Sequence, residues 1–354
     1  MRVPMHRWSL VTALVASSAT GAEIEYIDNG RGPVPLYIPA DYDESVDIPL
    51  VVALHGYSDP DVDAYFDISA QVDSRGFLYC VPVGTQNPRG APFWNATDAC
   101  CDFYNSNVDD SQYLRELVES IQDAYAVDEM SIHFTGISNG GFMAHRMACD
   151  HADLIASIAA LAGTTHEATL DCNPSSPVHV LHIHGTDDSA IRYDGGCIVF
   201  SCYPGADETV NRWADYNTCD PFPEQDESTF NLDWAVPGSE TSRTIYRQNC
   251  DEGVTVELWR MDGSEHVPNF NRNSDPPIEN LFGNQTIEWL LTHRKQSNST
   301  CRSDTNSDGR VSIEDLLAVL KAWGTTDYST DVDQDGIVGA ADLITLISAW
   351  GDCP

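Results

Sequence analysis

From residue 48 to residue 295 short apolar runs alternate with amphipathic ones. Residues 48–54 and 76–83 are nearly continuous apolar stretches, and their β-branched and aromatic content predicts buried strands. Residues 130–135, 178–183 and 254–259 predict further strands, and 154–162 a strand or its approach. Leu114, Leu117, Ile121 and Ala124 recur at helical spacing, which predicts a helix over 113–125. Helices are expected also over 142–149, 209–216 and 286–295. Ahead of these, 24–40 reads as a pair of edge strands broken at Asn29-Gly30. Strands alternating with helices give an α/β fold class, a mostly parallel sheet covered on both faces.

Both ends differ in texture. Arg2, His6 and Arg7 open the chain, an apolar run follows over 8–16, and small residues occupy 17–22. That is the pattern of a signal peptide over 1–22, with an apolar run too short to span a bilayer. It makes the protein secreted. At the other end 296–300 is a short polar linker. Beyond it two similar stretches start at Asp304 and Asp331, an internal repeat. The expected organisation is a signal peptide over 1–22, a main domain over 23–295, a linker over 296–300 and a small module over 301–354.

The chain of 354 residues has room for one large core plus an appendage. Its 55 acids against 18 bases give a net charge of −37. Such a balance excludes nucleic acid and anionic membranes as partners, because both need basic patches. Eleven cysteines suit an oxidising compartment, and the odd count leaves at least one thiol unpaired or bridging chains. Cys301 and Cys353 bracket the C-terminal module and are expected to pair. The adjacent Cys100 and Cys101 are expected to join two different partners. The doubled short spacing of zinc sites is missing.

The sharpest chemical signal is Gly136-Ile137-Ser138-Asn139-Gly140, a G-x-S-x-G segment between a predicted strand and a predicted helix. In that context the serine sits on a tight turn that lifts its hydroxyl clear of the sheet. The helix behind it favours developing negative charge at its N-terminus. A serine nucleophile needs a base held by an acid, in the order Ser, Asp or Glu, His. The strand over 178–183 runs into His184-Gly185-Thr186-Asp187-Asp188, where two aspartates compete for the acid. His266 follows the last long strand and is the expected base. The oxyanion hole takes the Asn139 N–H and, from the early loop Leu54-His55-Gly56-Tyr57, the Tyr57 N–H. His55 and His184 read as histidines that support their loops by hydrogen bonding.

Several stretches together resemble a family. They are Leu54-His55-Gly56, Phe93-Trp94-Asn95-Ala96 leading to Cys100-Cys101, Val108-Asp109-Asp110, the segment from Gly136 to Ala144, His184-Gly185-Thr186-Asp187-Asp188, Tyr193-Asp194-Gly195-Gly196, and the stretch from Thr209 to Cys219. Over residues 49–293 the chain is similar to the secreted esterases grouped around extracellular polyhydroxybutyrate depolymerases and feruloyl or acetylxylan esterases. The resemblance implies an α/β-hydrolase fold and a serine esterase that needs no cofactor for catalysis. It implies Asp188 as the acid, with Asp187 the fallback, and His266 as the base. Val267 before Pro268 departs from the family's tryptophan-containing segment and alters the wall beside the base. Trp94 is a candidate aromatic wall for an aryl or sugar group, with a core tryptophan as the competing reading. The competing functions are an inactive, scaffold-bound binding component and a peptidase on the same fold.

In the module, Asp304, Asn306 and Asp308 take positions one, three and five of a calcium loop, Gly309 position six and Asp315 position twelve. The second copy places Asp331, Asp333, Asp335, Gly336 and Asp342 likewise. The backbone carbonyls of Arg310 and Ile337 are the position-seven ligands, so two calcium ions are expected. Each loop precedes one apolar helix ending Ala-Trp-Gly, over 316–323 and 343–350. This is similar to dockerin domains, which implies a cohesin-like scaffold partner, with a calcium-stabilised end cap as the competing reading. Here Ile313-Glu314 and Ala340-Ala341 replace the small hydroxyl residues that the dockerins of the best-known type carry before position twelve.

Overall fold

The computed structural model describes residues 22–270, 281–296, 303–306, 310–326, 329–333 and 336–353. It divides into two compact units, 1–293 and 294–354. The signal segment before Ala22, most of the expected linker, Cys301, Asp308 and Asp335 lie outside the described residues.

The first unit is built on a ten-stranded sheet. Its strands are β1 (Glu23–Ile27), β2 (Val34–Ile38), β3 (Ile48–Leu54), β4 (Leu78–Cys80), β5 (Val127–Ile137), β6 (Ser157–Leu161), β7 (His179–Gly185), β8 (Glu224–Gln225), β9 (Thr241–Tyr246) and β10 (Val256–Met261). They lie in the order β1-β2-β4-β3-β5-β6-β7-β10-β9-β8. From β4 to β10 every neighbouring pair is parallel, and the flanking strands are antiparallel.

Strand parity explains the two covers. Leu50, Val52 and Leu54 of β3 enter one apolar cluster, and Val51 and Ala53 enter the other. Helices α1 (Asp110–Gln122), α2 (Asn139–Asp150) and α3 (Ala206–Tyr216) contribute to the first. The segment from Val62 to Phe77 and helix α4 (Leu281–Thr292) contribute to the second. This mixed α/β arrangement, a large and mostly parallel sheet with helices, is the one the alternation predicted.

Several bounds differ for local reasons. Residues 76–83 form a strand only over Leu78–Cys80, because Gly76 caps the preceding turn at φ 66° and Pro82 has no N–H to pair. Helix α1 begins three residues before the predicted start, where Asp109 accepts from the Gln112 N–H as its N-cap. Helix α2 begins at Asn139, through Gly140 and Gly141, which read as a turn in the sequence. Strand β9 was not predicted, because its first half is polar and only Ile245 and Tyr246 are apolar and buried.

The cysteines correct one expectation. Cys100 and Cys101 bond to each other. A buried turn holds both, with the Ala96, Thr97 and Cys100 backbones exchanging hydrogen bonds and the Cys101 N–H donating to the Trp94 carbonyl. Among the described residues Cys149–Cys172, Cys197–Cys202 and Cys219–Cys250 are also bonded, so those six cysteines are not partners for this pair. Cys80 is a free, buried thiol whose pKa burial pushes up. No helix among the described residues is long and apolar enough to cross a membrane.

The second unit holds helices α5 (Ile313–Lys321) and α6 (Ala340–Ser348) around Val311, Val319, Val332, Val338 and Leu346. Both start three residues before their predicted positions. The position-twelve acids are the cause: Asp315 accepts from the Ser312 N–H at 2.8 Å and Asp342 from the Gly339 N–H at 2.6 Å, each closing a first turn.

Candidate active site

Parallel strands deliver their C-terminal ends to one edge of the sheet, and residues placed just past those ends share a rim. Ser138 follows β5, Asp188 follows β7 and His266 follows β10.

Ser138 has φ 54° and ψ −117°, a backbone conformation that side chains rarely adopt. The glycines around it are needed for contact. A Cβ on Gly140 would stand 2.0 Å from the Leu54 carbonyl oxygen, and one on Gly136 would stand 2.5 Å from Gly140. A Cβ on Gly163 would stand 2.4 Å from the Ser138 carbonyl oxygen. The Ser138 N–H donates to Leu161 at 2.8 Å, and its carbonyl accepts from the Phe142 N–H at 2.9 Å. Helix α2 therefore starts directly behind the hydroxyl, with its positive end at the site.

The two aspartates separate clearly. Asp187 is exposed, whereas the Asp188 carboxylate is buried. Asp188 Oδ2 accepts from His266 Nδ1 at 2.7 Å, and Oδ1 accepts from the Ala190 and Ile191 N–H groups at 2.8 Å each. His184 Nε2 stands 3.3 Å from Oδ2. Burial alone would raise the carboxyl pKa, but the hydrogen bonds from His184, His266 and Ile191 outweigh it and hold Asp188 below the usual carboxylate range.

The loops carrying Asp188 and His266 are stitched together. The Asp187 N–H donates to the Ser264 carbonyl at 3.0 Å, and the Gly263 N–H donates to Thr186 Oγ1 at 2.8 Å. A buried carboxylate that the sequence reading missed braces the base loop. Asp233 accepts from Ser264 Oγ at 2.5 Å and from the Asn269 N–H at 3.0 Å, on either side of His266. Glu240 Oε1 in turn accepts from the Leu232 and Asp233 N–H groups at 2.8 Å each. In the sequence both acids sit in a stretch rich in polar residues, and nothing there sets them apart.

Trp94 is fully buried, which corrects its candidacy as a substrate wall. Its N–H donates to Asn139 Oδ1 at 2.8 Å and its carbonyl accepts from Asn139 Nδ2 at 2.9 Å. Its indole N–H donates to the His55 carbonyl at 3.2 Å. Through its backbone and its indole Trp94 thus ties the start of α2, which carries the Asn139 N–H, to the loop that carries the Tyr57 N–H. His55 serves the same loop, accepting from the Gly84 N–H at 2.9 Å and donating from Nδ1 to the Gly56 carbonyl at 2.7 Å. Neither the Tyr57 nor the Asn139 N–H donates to another backbone group among the described loops and caps. The half-buried Tyr57 ring packs edge-on against Phe103, itself 43% exposed, with centroids 5.4 Å apart.

In the second unit Asp331, Asp333 and Asp342 bring carboxylate oxygens within 4.8 Å of one another. Asp331 Oδ1 is buried without a hydrogen-bond partner, although its Oδ2 accepts from the Gly336 N–H at 2.9 Å. Like-charged oxygens gathered around an unmet buried acceptor suit a hard cation. In the first copy Asp304 and Asp315 are buried, and Asp315 Oδ1 accepts from the Asn306 N–H at 3.2 Å.

Residues 27–240, more than half of the chain, match the family model described as "Putative esterase". Feruloyl esterase B of Piromyces equi is 31% identical over 192 residues, 52% of this chain and 32% of that protein. The bifunctional acetylxylan esterase/xylanase XynS20E of Neocallimastix patriciarum is 24% identical over 226 residues, 62% of this chain and 29% of that protein. The chain thus spans about a third of the length of either relative. The acetyl xylan esterase of Aspergillus awamori shares the fold at 17% identity and a TM-score of 0.51, over 76% of this chain and 98% of that one.

Proposed function

This chain belongs to the esterase family, and from that membership we propose that it is a secreted serine esterase acting on feruloyl or acetyl esters of plant polysaccharide. The observation that carries the reading is the Asp188–His266 pair at 2.7 Å on the same sheet edge as a serine in a strained turn. Relatives named feruloyl esterase and acetylxylan esterase supply the substrate class. The exposed aromatic edge at Phe103, packed on the Tyr57 ring, suits an aryl acyl group. Four disulfides fit an oxidising, extracellular setting.

In this mechanism Ser138 Oγ attacks the ester carbonyl and its proton passes to His266 Nε2. Asp188 holds Nδ1–H, so the second nitrogen is free to accept and the imidazolium is stabilised. The oxyanion is met by the Tyr57 and Asn139 N–H groups. As the carbon–oxygen bond to the alcohol breaks, His266 returns the proton to the leaving oxygen. Water, deprotonated by the same base, then cleaves the acyl-enzyme and regenerates Ser138.

The C-terminal module is read as a dockerin-like calcium unit. Asp304, Asn306, Asp308, Asp315 and the Arg310 carbonyl would hold one ion, and Asp331, Asp333, Asp335, Asp342 and the Ile337 carbonyl the other. Calcium would neutralise the gathered carboxylates and hold both loops against their helices. A cohesin-like scaffold domain is the partner that such a unit would take.

The test is turnover of a short-chain aryl ester, methyl ferulate and acetylated xylan by wild type and by Ser138→Ala. Turnover by wild type alone supports the reading, and the relative rates order the substrates. A folded wild type that hydrolyses none of them overturns it.

A further inference from the structure

Behind Asp188 lies a file of buried rings that the reaction above does not use. His182 and His184 are two apart on β7 and so face the same side, towards α2 and α3. His145 comes from α2 and Trp213 from α3, and all four side chains are fully buried. Trp213 Nε1 lies 2.9 Å from His145 Nδ1. His145 Nε2 lies 3.3 Å from His182 Nδ1, and His182 Nε2 lies 3.1 Å from His184 Nδ1. His184 Nε2 ends the file, 2.7 Å from the Ile191 carbonyl and 3.3 Å from Asp188 Oδ2.

An indole N–H can only donate. It therefore makes His145 Nδ1 an acceptor, which puts the His145 hydrogen on Nε2. That hydrogen makes His182 Nδ1 an acceptor, and the same logic runs through His182 to His184. Every ring is then neutral, and every donor points towards the Asp188 carboxylate. The direction is set at Trp213, the end of the file far from the Asp188 carboxylate.

We propose that Trp213, His145 and His182 are positioning residues that fix His184 as a neutral Nε2–H donor, leaving His266 as the one ring beside Asp188 that can take the proton from Ser138. The proposal rests on the triad reading given above. Its logic is competition. Asp188 touches two imidazoles, and a cation on His184 would spend the carboxylate's charge on the wrong ring. With His184 Nδ1 already occupied by a donor, a second proton there would place two hydrogens face to face. The file has few other titratable neighbours. Tyr193 meets the His184 ring edge-on at 5.6 Å, His166 bears on His145, and His266 reaches His184 only through Asp188. Burial lowers the pKa of both His145 and His182, consistent with neutral rings.

Long-range proton–nitrogen NMR of histidine-labelled wild type reads each tautomer directly, with or without turnover. The expected result is Nε2–H on His145, His182 and His184 at pH 7, with no titration of His145 and His182 between pH 5 and 8. A ring found Nδ1-protonated or charged overturns the proposal whatever the activity. Two variants add a functional readout. His182→Leu fills the space but breaks the file, and is expected to lower kcat about tenfold with KM nearly unchanged. His182→Gln can accept from His145 and donate to His184, and is expected to restore kcat to within about threefold of wild type. Equal rates for the two variants would make the residue merely a filler of space and sink the idea. If wild type turns over no ester, the esterase reading fails, and the spectrum still decides the tautomers.

Discussion

Replacing Asp188 by Asn keeps the shape of the acid and removes its charge. The surroundings decide which way the new amide turns. With its oxygen towards the Ala190 and Ile191 N–H groups, which now donate at 2.8 Å each, both remain satisfied. The amide NH2 then faces His266. Turning it round would set the NH2 against two buried backbone donors, at about 1–3 kcal/mol for each unmet group. The first orientation therefore prevails, and His266 Nδ1 must accept rather than donate. Its hydrogen moves to Nε2, the nitrogen that has to take the proton from Ser138. A base in the wrong tautomer costs on the order of 10⁴ in kcat, as the equivalent change does in serine proteases, or about 5 kcal/mol of barrier. KM should stay within about threefold, because no group that binds the acyl or alcohol portion is touched. The assay is steady-state hydrolysis of a short-chain aryl ester, with circular dichroism to establish the fold. A folded Asp188→Asn enzyme within about tenfold of wild-type kcat would refute the assignment and send the search to Asp187.

Gly140→Ala should destabilise the fold by about 3 kcal/mol or more in thermal melting, since its Cβ would lie 2.0 Å from a backbone oxygen. Asp233→Ala should lower kcat about a hundredfold through misplacement of His266, with a smaller effect on KM, measured in the same assay. Stability should fall with acid in two stages. His145 is held down to about 3 by burial, so the unfolded chain gains its proton first, near pH 6.5. That should cost about 3 kcal/mol by pH 4 in chemical denaturation, a share of the slope that His145→Phe would lack while the buried His182 keeps its own. Asp188 adds the second stage in the same direction: its lowered pKa stabilises the fold above about pH 4, and that contribution is lost as pH falls further. Calcium at about a hundred times its dissociation constant should stabilise the C-terminal unit by about 2.7 kcal/mol, and a chelator should reverse this without changing kcat.

What was legible in the sequence follows from what the geometry forbids. Gly136 and Gly140 stand where any Cβ would strike backbone, so the elbow can be spelled in few ways and is readable. The sheet was legible because strands buried on both faces read as apolar runs. By contrast, Asp187 and Asp188 differ only in which way successive residues of a turn point, and spacing alone could not choose between them. The histidine file was invisible for a different reason. His145, His182 and Trp213 lie on three elements, and each alone reads as an ordinary core residue. Trp94 could be read from sequence as a substrate wall or as a core residue, because an aromatic near an active site can face either way. Here its indole N–H and both backbone groups are engaged by the loops that it supports.

The distribution of constraint around the rim says which step substrate must complete. Acid and base are joined at 2.7 Å, and their loops are tied by the Asp187–Ser264 and Gly263–Thr186 bonds. A Cβ on Gly185 would lie 2.2 Å from the Ser264 carbonyl, so these loops already touch. Asn139 and the Tyr57 loop are tied separately through Trp94. Among the described residues no hydrogen bond joins Ser138 Oγ to His266, which leaves one contact open between two rigid halves. Catalytic hydrogen bonds are often long before substrate arrives and tighten in the reacting complex. An ester carbonyl seated on the Tyr57 and Asn139 N–H groups would draw Ser138 and His266 to the same carbon. On the proposed mechanism the candidate walls for the acyl group are the Tyr57–Phe103 edge and the exposed Val267 next to His266. Enlarging Val267 to Trp should therefore change the ratio of ferulate to acetate turnover, while leaving turnover of the smallest aryl ester within about threefold.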